Sequence, residues 1–224
     1  MTVSTRFDGP ISNLLLSLGG TALHVAVPAD LDRLLDDPEV VALNARDGSL
    51  PYWAQLWPGA YLLAEAVIAA DWPEGIRALE IGCGLGLAGL AALSKGLRVV
   101  FSDRDETPLA FVAKSVRLNG FPPQSYELRP LDWRDEGIEK FPFILGADVV
   151  YESSHVPIIL NLLSRTLEPE GQAWLAGHYR AANEEFDEKI LENGEFSLEK
   201  RPIKAMTETG RSLEGTLRII TRGS

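Results

Sequence analysis

From Arg77 onward, short apolar segments alternate with segments of helical periodicity, and the chain ends in two strand-like segments with no helix between them. Because strand–helix alternation produces parallel strands joined by right-handed crossovers, this region predicts a mostly parallel sheet. The last two segments, 196–204 and 216–222, flank Gly210, so we expect them to pair as an antiparallel C-terminal hairpin. An ordinary dinucleotide-binding sheet would continue with parallel strands. The predicted fold class is therefore α/β, with a Rossmann-like seven-stranded sheet and helices on both faces.

The alternation predicts seven strands, at 78–82, 98–103, 126–133, 141–151, 172–179, 196–204 and 216–222. It predicts helices at 59–70, 87–95, 107–120, 156–167 and 182–194. Residues 1–50 are less regular, with a short strand at 21–27 and a helix at 28–37 capped near Asp30. We therefore expect residues 1–50 to form an extension packed on a main domain of residues 51–224.

The composition restricts the classes of partner. A formal net charge of -11 repels phosphates, so we expect no nucleic-acid partner and no membrane partner. The same charge suits a basic partner, although solubility alone accounts for many acidic proteins. One cysteine and three scattered histidines give no zinc-ligand spacing, so no metal site is expected. With neither a signal peptide nor a membrane-spanning apolar run, we expect a cytoplasmic enzyme.

A glycine-rich segment follows the first strand of the alternating region and precedes a helix. Gly82, Gly84 and Gly86 have the spacing G-x-G-x-G, which allows the backbone to turn sharply and approach a ligand closely. A dinucleotide loop needs G-x-G-x-x-G/A, which would place Gly or Ala at Leu87. Glu80 precedes the first glycine by two residues and would repel a pyrophosphate, whereas a cationic group would tolerate it.

Acidic residues also follow the next two strands. Asp103 ends the second strand, 23 residues after Glu80, where a carboxylate can accept hydrogen bonds from both hydroxyls of a ribose. Asp105 is a nearby alternative and is a better candidate for a helix cap. Asp132 and Trp133 end the third strand, where an acceptor and an aromatic face suit an adenine amine and ring. Each carboxylate alone is an ordinary turn residue, but their recurrence at successive strand ends indicates a nucleoside site.

Four segments resemble the class I, seven-β-strand methyltransferases that use S-adenosyl-L-methionine: 80–86, 102–104, 131–133 and 145–151. The sequence is more similar to the branch that contains the protein-lysine methyltransferases of chaperones, calmodulin and the electron-transfer flavoprotein β subunit. That branch has an upstream tryptophan motif, which Pro51–Ala54 with Trp57–Gly59 resembles. It also has an Asp-x-x-Tyr motif after the fourth strand, which Asp148 to Tyr151 matches. The resemblance covers roughly residues 50–165.

The resemblance implies S-adenosyl-L-methionine as cofactor and S-adenosyl-L-homocysteine as product. With the residue patterns above, it predicts cofactor contacts from Trp57, Glu80, Gly82, Cys83, Gly84, Gly86, Asp103, Arg104, Asp132, Trp133 and Ala147. It implies that Asp148 and Tyr151 face the methyl group and the incoming nucleophile as catalytic residues. The structural alternative is that Asp148 caps the strand end and Tyr151 packs in the core. Cys83 has no histidine placed to make it a nucleophile, so we expect it to be a small residue beside the cofactor.

The leading functional hypothesis is a protein-lysine N-methyltransferase, whose partner would be a protein with an exposed lysine. The alternatives are an N- or O-methyltransferase of a small metabolite and a non-catalytic cofactor-binding interaction module. A dehydrogenase is disfavoured by Leu87. Tyr52, Trp53 and Trp57 are candidates for an aromatic entry that holds the apolar stem of a lysine.

Histidines follow the fourth and fifth predicted strands, on the expected active-site edge. We interpret His155 and the pair His178–Tyr179 as loop residues, with substrate contact as the less favoured alternative.

Overall fold

A computed structural model describes residues 7–47, 50–178 and 181–224 of the chain. The strands are β1 (Ile11–Leu18), β2 (Thr21–Pro28), β3 (Arg77–Ile81), β4 (Arg98–Asp103), β5 (Tyr126–Pro130), β6 (Phe141–Ala147), β7 (Leu167–Gly177), β8 (Phe196–Met206) and β9 (Ser212–Arg222). The helices are α1 (Leu31–Leu35), α2 (Pro38–Asp47), α3 (Pro58–Ala69), α4 (Leu87–Ser94), α5 (Glu106–Leu118), α6 (His155–Thr166) and α7 (Ala181–Asn193).

Seven strands form one sheet in the order β5-β4-β3-β6-β7-β9-β8. The strands from β3 to β7 are parallel, and β9 runs antiparallel to both β7 and β8. This arrangement confirms the predicted fold class, including the C-terminal hairpin. The chain proceeds from β3 outward through β4 to β5 and then returns to β6 on the other side of β3. That change of direction opens a crevice at the carboxyl ends of β3 and β6, where ligands bind in sheets of this kind.

Alternate residues of the central strands enter two separate cores. Ala78, Val99 and Leu145 belong to a cluster with α3, α4 and α5 on one face of the sheet. Leu79 and Ile144 belong to a cluster with α6 and α7 on the other face. Because both faces of the sheet are covered, its central strands are apolar on both sides, which makes them recognisable as short apolar runs.

The N-terminal part of the described chain forms a hairpin that packs on α5. β1 pairs with β2 through a turn at Gly19 and Gly20, whose φ angles of +52° and +83° suit glycine in a two-residue hairpin. The free edge of β2 is bonded to α5 and its C-cap residue: Ala26 N–H donates to Ser115 Oγ in the helix, and His24 N–H donates to Oδ1 of the C-cap residue Asn119. β2 was predicted from the sequence, whereas its partner β1 was not.

Two further differences concern element boundaries. α1 begins after Asp30, whose side chain accepts a hydrogen bond from Arg33 N–H as predicted, but the helix ends at Leu35 and the following α2 was not predicted. β5 and β6 end at Pro130 and Ala147, earlier than the predicted ends at 133 and 151. The polar residues that follow these strands therefore lie in loops. Among the described residues, no helix is both long and apolar enough to cross a membrane.

Candidate active site

A cavity of about 1030 Å³ opens at the carboxyl ends of β3, β4, β5 and β6. Its walls are the loops that follow these four strands, the segment before α3, and parts of α1 and α2. Eleven of the thirteen predicted site residues line it: Trp57, Gly82, Cys83, Gly84, Asp103, Arg104, Asp132, Trp133, Ala147, Asp148 and Tyr151. The sheet therefore brings together residues that lie up to 94 positions apart in the sequence.

The loop after β3 forms the floor of the cavity. Gly82 and Gly84 have φ angles of +56° and +51°, a backbone conformation that side chains with a Cβ rarely adopt. A Cβ at Gly82 would lie 3.0 Å from the Trp133 ring, so the glycine lets that ring approach the loop. Cys83 N–H donates to the Ser102 carbonyl at 2.9 Å, which attaches the loop to the end of β4.

Asp103 joins this loop to the next one. Its Oδ2 accepts a hydrogen bond from Gly84 N–H at 3.0 Å, and its Oδ1 accepts one from Asp105 N–H at 3.2 Å. Burial raises the pKa of the Asp103 carboxyl, and the two backbone donors act against that rise. A carboxylate offers about four acceptor positions, so Asp103 keeps capacity for further donors while it orders both loops. Asp105 caps α5 by accepting from Thr107 N–H, which is the role that the sequence favoured for it.

Glu80 and Gly86, the other two predicted cofactor residues, do not line the cavity. Glu80 is 2% exposed, and its Oε2 accepts a hydrogen bond from Gly89 N–H in α4 at 3.1 Å. Burial raises the pKa of Glu80 to about 8. Gly86 is the N-cap residue of α4 and has a φ of +76°, and a Cβ there would lie 2.8 Å from Val112. Both residues support the glycine loop from behind, because the chain turns away from the cavity into α4.

The loop after β5 supplies an aromatic wall. Asp132 Oδ1 accepts from Arg134 N–H, so the loop turns tightly and leaves the Trp133 side chain on the cavity. Arg165 of α6 donates to the backbone carbonyls of Trp133 and Asp135 at 2.9 and 2.5 Å. These two hydrogen bonds attach the loop to α6 and so fix its position.

Asp148 has a structural partner that the sequence did not indicate. Its φ is +50°, and its Oδ2 accepts a hydrogen bond from Gly59 N–H at 2.6 Å, in the first turn of α3. A Cβ at Gly59 would lie 2.5 Å from Oδ2, and one at Gly177 would lie 2.8 Å from Oδ1. The carboxylate therefore sits between two glycines and stabilises the start of α3, where the helix dipole favours negative charge.

Five rings form a continuous row along the cavity, which we call the aromatic row: Trp57, Tyr52, Tyr151, His155 and Trp133. Successive ring centroids are 6.0, 6.0, 4.3 and 5.4 Å apart. Trp57 is held in place because its Nε1–H donates to the Tyr52 carbonyl at 2.6 Å. Burial raises the pKa of the Tyr151 hydroxyl, so it is protonated at neutral pH.

His155 is the member of the aromatic row that the sequence analysis treated as a loop residue. It begins α6 and lies between Tyr151 and Trp133, with its ring nearly perpendicular to both. Its Nδ1 is buried and has no hydrogen-bond partner in the described part of the chain, and burial lowers its pKa. Its position four residues after Tyr151, at the end of the fourth predicted strand, is the sequence signal for its place in the aromatic row.

The remaining candidates lie elsewhere. Trp53 lines the cavity but also packs against Phe111, with ring centroids 5.3 Å apart. His178 is not among the residues that line the cavity, and Tyr179 lies outside the described residues. Within residues 7–47, 50–178 and 181–224, no group of three or more histidine, cysteine, aspartate or glutamate residues could hold a metal ion.

A family model described as lysine methyltransferase matches residues 52–193. The electron transfer flavoprotein beta subunit lysine methyltransferase of Xenopus laevis is 32% identical over 135 residues, which are 57% of this chain and 52% of that protein. The histidine protein methyltransferase 1 homolog of Dictyostelium discoideum is 30% identical over 153 residues, covering 66% of this chain and 48% of that protein. The match thus spans about half the length of each of these two relatives.

The relatives are named for different methylated side chains: lysine and histidine in the two above, and arginine in a third. The histone-arginine methyltransferase METTL23 of Xenopus laevis is 27% identical over 187 residues and covers 74% of both chains. Among solved structures, magnesium protoporphyrin IX methyltransferase from Synechocystis PCC 6803 with bound SAM superposes with a TM-score of 0.59. It has 15% identity and covers 86% of this chain and 95% of its own, a similarity that shows the fold alone.

Proposed function

The chain belongs to the S-adenosylmethionine-dependent lysine methyltransferase family, and from this premise we propose that it methylates the side-chain amine of a lysine in a protein. The observation that carries the proposal is the composition of one cavity. Its floor has glycines and a carboxylate suited to a nucleoside, and its wall is the aromatic row. A cofactor and an acceptor side chain can therefore meet in the same space.

The floor of the cavity fits S-adenosylmethionine. Gly82 and Gly84 present backbone without a Cβ, and Asp103 has acceptor positions for two ribose hydroxyls beyond its two backbone donors. Trp133 offers a ring face to an adenine, and Asp132 lies beside it on the wall. When bound, the cofactor supplies an electrophilic methyl group on a positively charged sulfur.

The aromatic row supports an amine acceptor. A lysine in water has a pKa of about 10.4, so its amine must lose a proton before its lone pair can attack a methyl group. The rings of Tyr52, Trp57 and Tyr151 attract a cation, whereas removal of the amine from water disfavours its charged form and releases its proton to solvent. The same rings can cover the apolar stem of the side chain. We assign Tyr151 to orient the amine and Asp148 to accept a hydrogen bond from it.

Label transfer tests this function directly. The purified protein is incubated with radiolabelled S-adenosylmethionine and a cell lysate, and the label is separated into protein-bound and low-molecular-weight fractions. We expect protein-bound label, which mass spectrometry places on lysine, and we expect Asp103→Ala to remove it. Label on histidine or arginine would redirect the acceptor assignment toward the other relatives. Label only in small molecules would support metabolite methylation, and cofactor binding without transfer would support a non-catalytic binding module.

Two expectations about the setting of this activity remain predictions. The net charge of -11 supports a partner that is not a nucleic acid or an anionic membrane. A cytoplasmic location is part of the same proposal, and fractionation of cells that produce the tagged protein tests it.

A further inference from the structure

Large apolar side chains are exposed beside the cavity. In the described part of the chain nine large hydrophobic side chains are exposed, and five of them lie between residues 31 and 52. These five are Leu31, Leu35, Val41, Leu50 and Tyr52, with exposed fractions from 39% to 52%. Single exposed apolar residues are ordinary, but five of them in one segment beside the cavity make that segment a candidate interaction surface. We call residues 31–47 and 50–52 the rim segment.

The rim segment is continuous with the cavity. Leu34, Val40, Leu50 and Tyr52 line the cavity, and Tyr52 is also a member of the aromatic row. A polypeptide that lies on the exposed side of the rim segment is thus next to the opening through which an acceptor side chain must pass. The rim segment can position the acceptor protein as well as form the wall.

Two stripes run side by side along α1. Leu31 and Leu35 are one turn apart and share a face, and Asp32 and Asp36 form a second stripe at the adjacent positions. All four side chains are exposed. Two like charges four residues apart destabilise a helix, and Asp36 follows its C-terminus, where negative charge is unfavourable. The acidic stripe therefore works against the stability of the isolated helix.

Opposite charge on a partner removes this conflict. The sequence from 30 to 39 contains five acidic residues and one basic residue, Arg33, which pairs with Asp8 at 3.5 Å. A segment with basic side chains facing Asp32 and Asp36 and apolar side chains facing Leu31 and Leu35 would satisfy both stripes. A segment of acidic or uncharged polar side chains would complement neither the acidic stripe nor the apolar stripe.

We propose that the rim segment docks a basic, amphipathic segment of the acceptor protein and so presents a nearby lysine to the cavity. The inference rests on the proposed function, since it assigns the chemistry of the substrate for that site. It predicts that residues outside the cavity determine the affinity for the acceptor.

A peptide-binding measurement tests the docking without any methyl transfer. The probe is a fluorescein-labelled 12-residue peptide of leucine and arginine with one central lysine, and its partner has glutamate in place of arginine. Anisotropy is measured with protein saturated with S-adenosylhomocysteine. We expect the arginine peptide to bind and the glutamate peptide to bind at least ~10-fold more weakly, because its charge is repelled.

Two double variants identify the surface. D32N with D36N should weaken the arginine peptide ~3- to 10-fold at ~0.01 M salt, and the difference should largely disappear at ~1 M salt, where the screening length is ~3 Å. L31S with L35S should weaken it at both salt concentrations, because apolar burial is not screened.

The matched control removes the same amount of charge at the amino end of β3, whereas the cavity lies at the carboxyl ends of the strands. D71N with E74Q changes two exposed acidic residues in the loop before β3, and we expect unchanged binding. Thermal melting and affinity for S-adenosylhomocysteine verify that every variant is folded.

Three results would overturn the docking proposal: no binding of the arginine peptide, equal binding of the glutamate peptide, or equal weakening by the control variant. Peptide binding without label transfer to any protein would instead refute the proposed function and leave the docking intact. Lysine methylation with an unchanged KM in the rim variants would refute the docking and leave the proposed function intact.

Discussion

Asp103 and Asp148 line the cavity and also accept hydrogen bonds from the backbone, and this double role shapes what their substitution does. Asp103 holds Gly84 and Asp105, and Asp148 holds Gly59. Removing the Asp148 side chain leaves the N–H of the buried Gly59 without this acceptor, and removing the Asp103 side chain does the same to the half-buried Gly84 and the exposed Asp105. Each loss costs stability in addition to any lost ligand contact. A single alanine variant mixes these two effects, so each residue needs a second variant to separate them.

Asp103→Ala should weaken binding of S-adenosylhomocysteine by ~2–4 kcal/mol, or about 30- to 1000-fold, because hydrogen bonds to a charged group are the strong ones. Isothermal titration calorimetry measures the change. Asp105→Ala is the comparison, since Asp105 caps α5 and was the alternative ribose ligand. We expect that variant to lose ~1 kcal/mol of stability while it keeps its affinity. The reverse order of the two affinities would transfer the ribose contact to Asp105.

Asp148→Ala should lower both the stability and the turnover of the protein, whereas Asp148→Asn should lower turnover alone. Asparagine tolerates the φ of +50° and can still accept a hydrogen bond from Gly59 N–H. Asparagine lacks the negative charge that, in our proposal, interacts with the acceptor amine. We therefore expect turnover reduced by ~10²-fold with a nearly unchanged melting temperature. Steady-state kinetics and thermal melting check this. Full turnover in Asp148→Asn would make Asp148 a positioning residue for α3 alone.

Glu80 gives the ligand-free protein a pH-dependent stability. Burial raises its pKa from an ordinary value of 4.5 to about 8 on folding, so the folded state binds its proton more tightly than the unfolded state. By linkage, this residue makes stability fall as the pH rises between those two values, with a slope of at most ~1.4 kcal/mol per pH unit. Glu80→Gln should therefore be as stable as wild type near pH 5 and more stable near pH 8. Urea unfolding at both pH values measures the free energy of unfolding. An equal decrease in the two proteins between pH 5 and pH 8 would contradict the prediction.

At the scale of the elements, Arg165 connects α6 to the loop that carries Trp133. Its guanidinium donates to the backbone of Trp133 and Asp135, so Arg165→Met should let that loop move and weaken S-adenosylhomocysteine binding by ~3- to 10-fold. Arg117→Met, an exposed substitution at the end of α5 away from the cavity, is the control and should bind normally. Equal affinities in the two variants would show that the loop holds its position without Arg165. Calorimetry again provides the measurement.

The central strands β3, β4 and β6 were predictable because each is buried on both faces and so appears as a short apolar run. The edge strands β5 and β8 are largely exposed and were predicted from their place in the alternation. β1 was not predicted, since its leucines at 14–16 break the alternation expected of a half-buried strand. The pair Gly19–Gly20 is the sequence feature that indicates a hairpin, and with it a strand before β2. The placement of the glycine loop, Asp103 and Trp133 around one cavity was also predictable, because the carboxyl ends of parallel strands lie side by side.

Other parts of the site depend on packing between distant elements. The bond from Gly59 to Asp148 joins residues 89 positions apart, and nothing local indicates it. The direction of the Glu80 side chain depends on where α4 packs, which is why a residue two positions before the first glycine lies behind the loop. The environment of His155 depends on α6 beginning between two loops. Sequence patterns identify strand ends but not the contacts that form across them.

At the scale of the whole molecule, the class of cofactor should be visible as a change in global stability. A ligand that binds only the folded state stabilises it by about 2.7 kcal/mol at a concentration of 100 times its Kd. For a chain of 224 residues each kcal/mol raises the melting temperature by about 2–4 °C, so we expect S-adenosylhomocysteine to raise it by about 5–10 °C. NAD at the same concentration should leave it unchanged, because Leu87 stands where a loop that binds a pyrophosphate has glycine or alanine. A larger shift with NAD than with S-adenosylhomocysteine, measured by differential scanning calorimetry, would overturn the assignment of the cofactor and with it the proposed reaction.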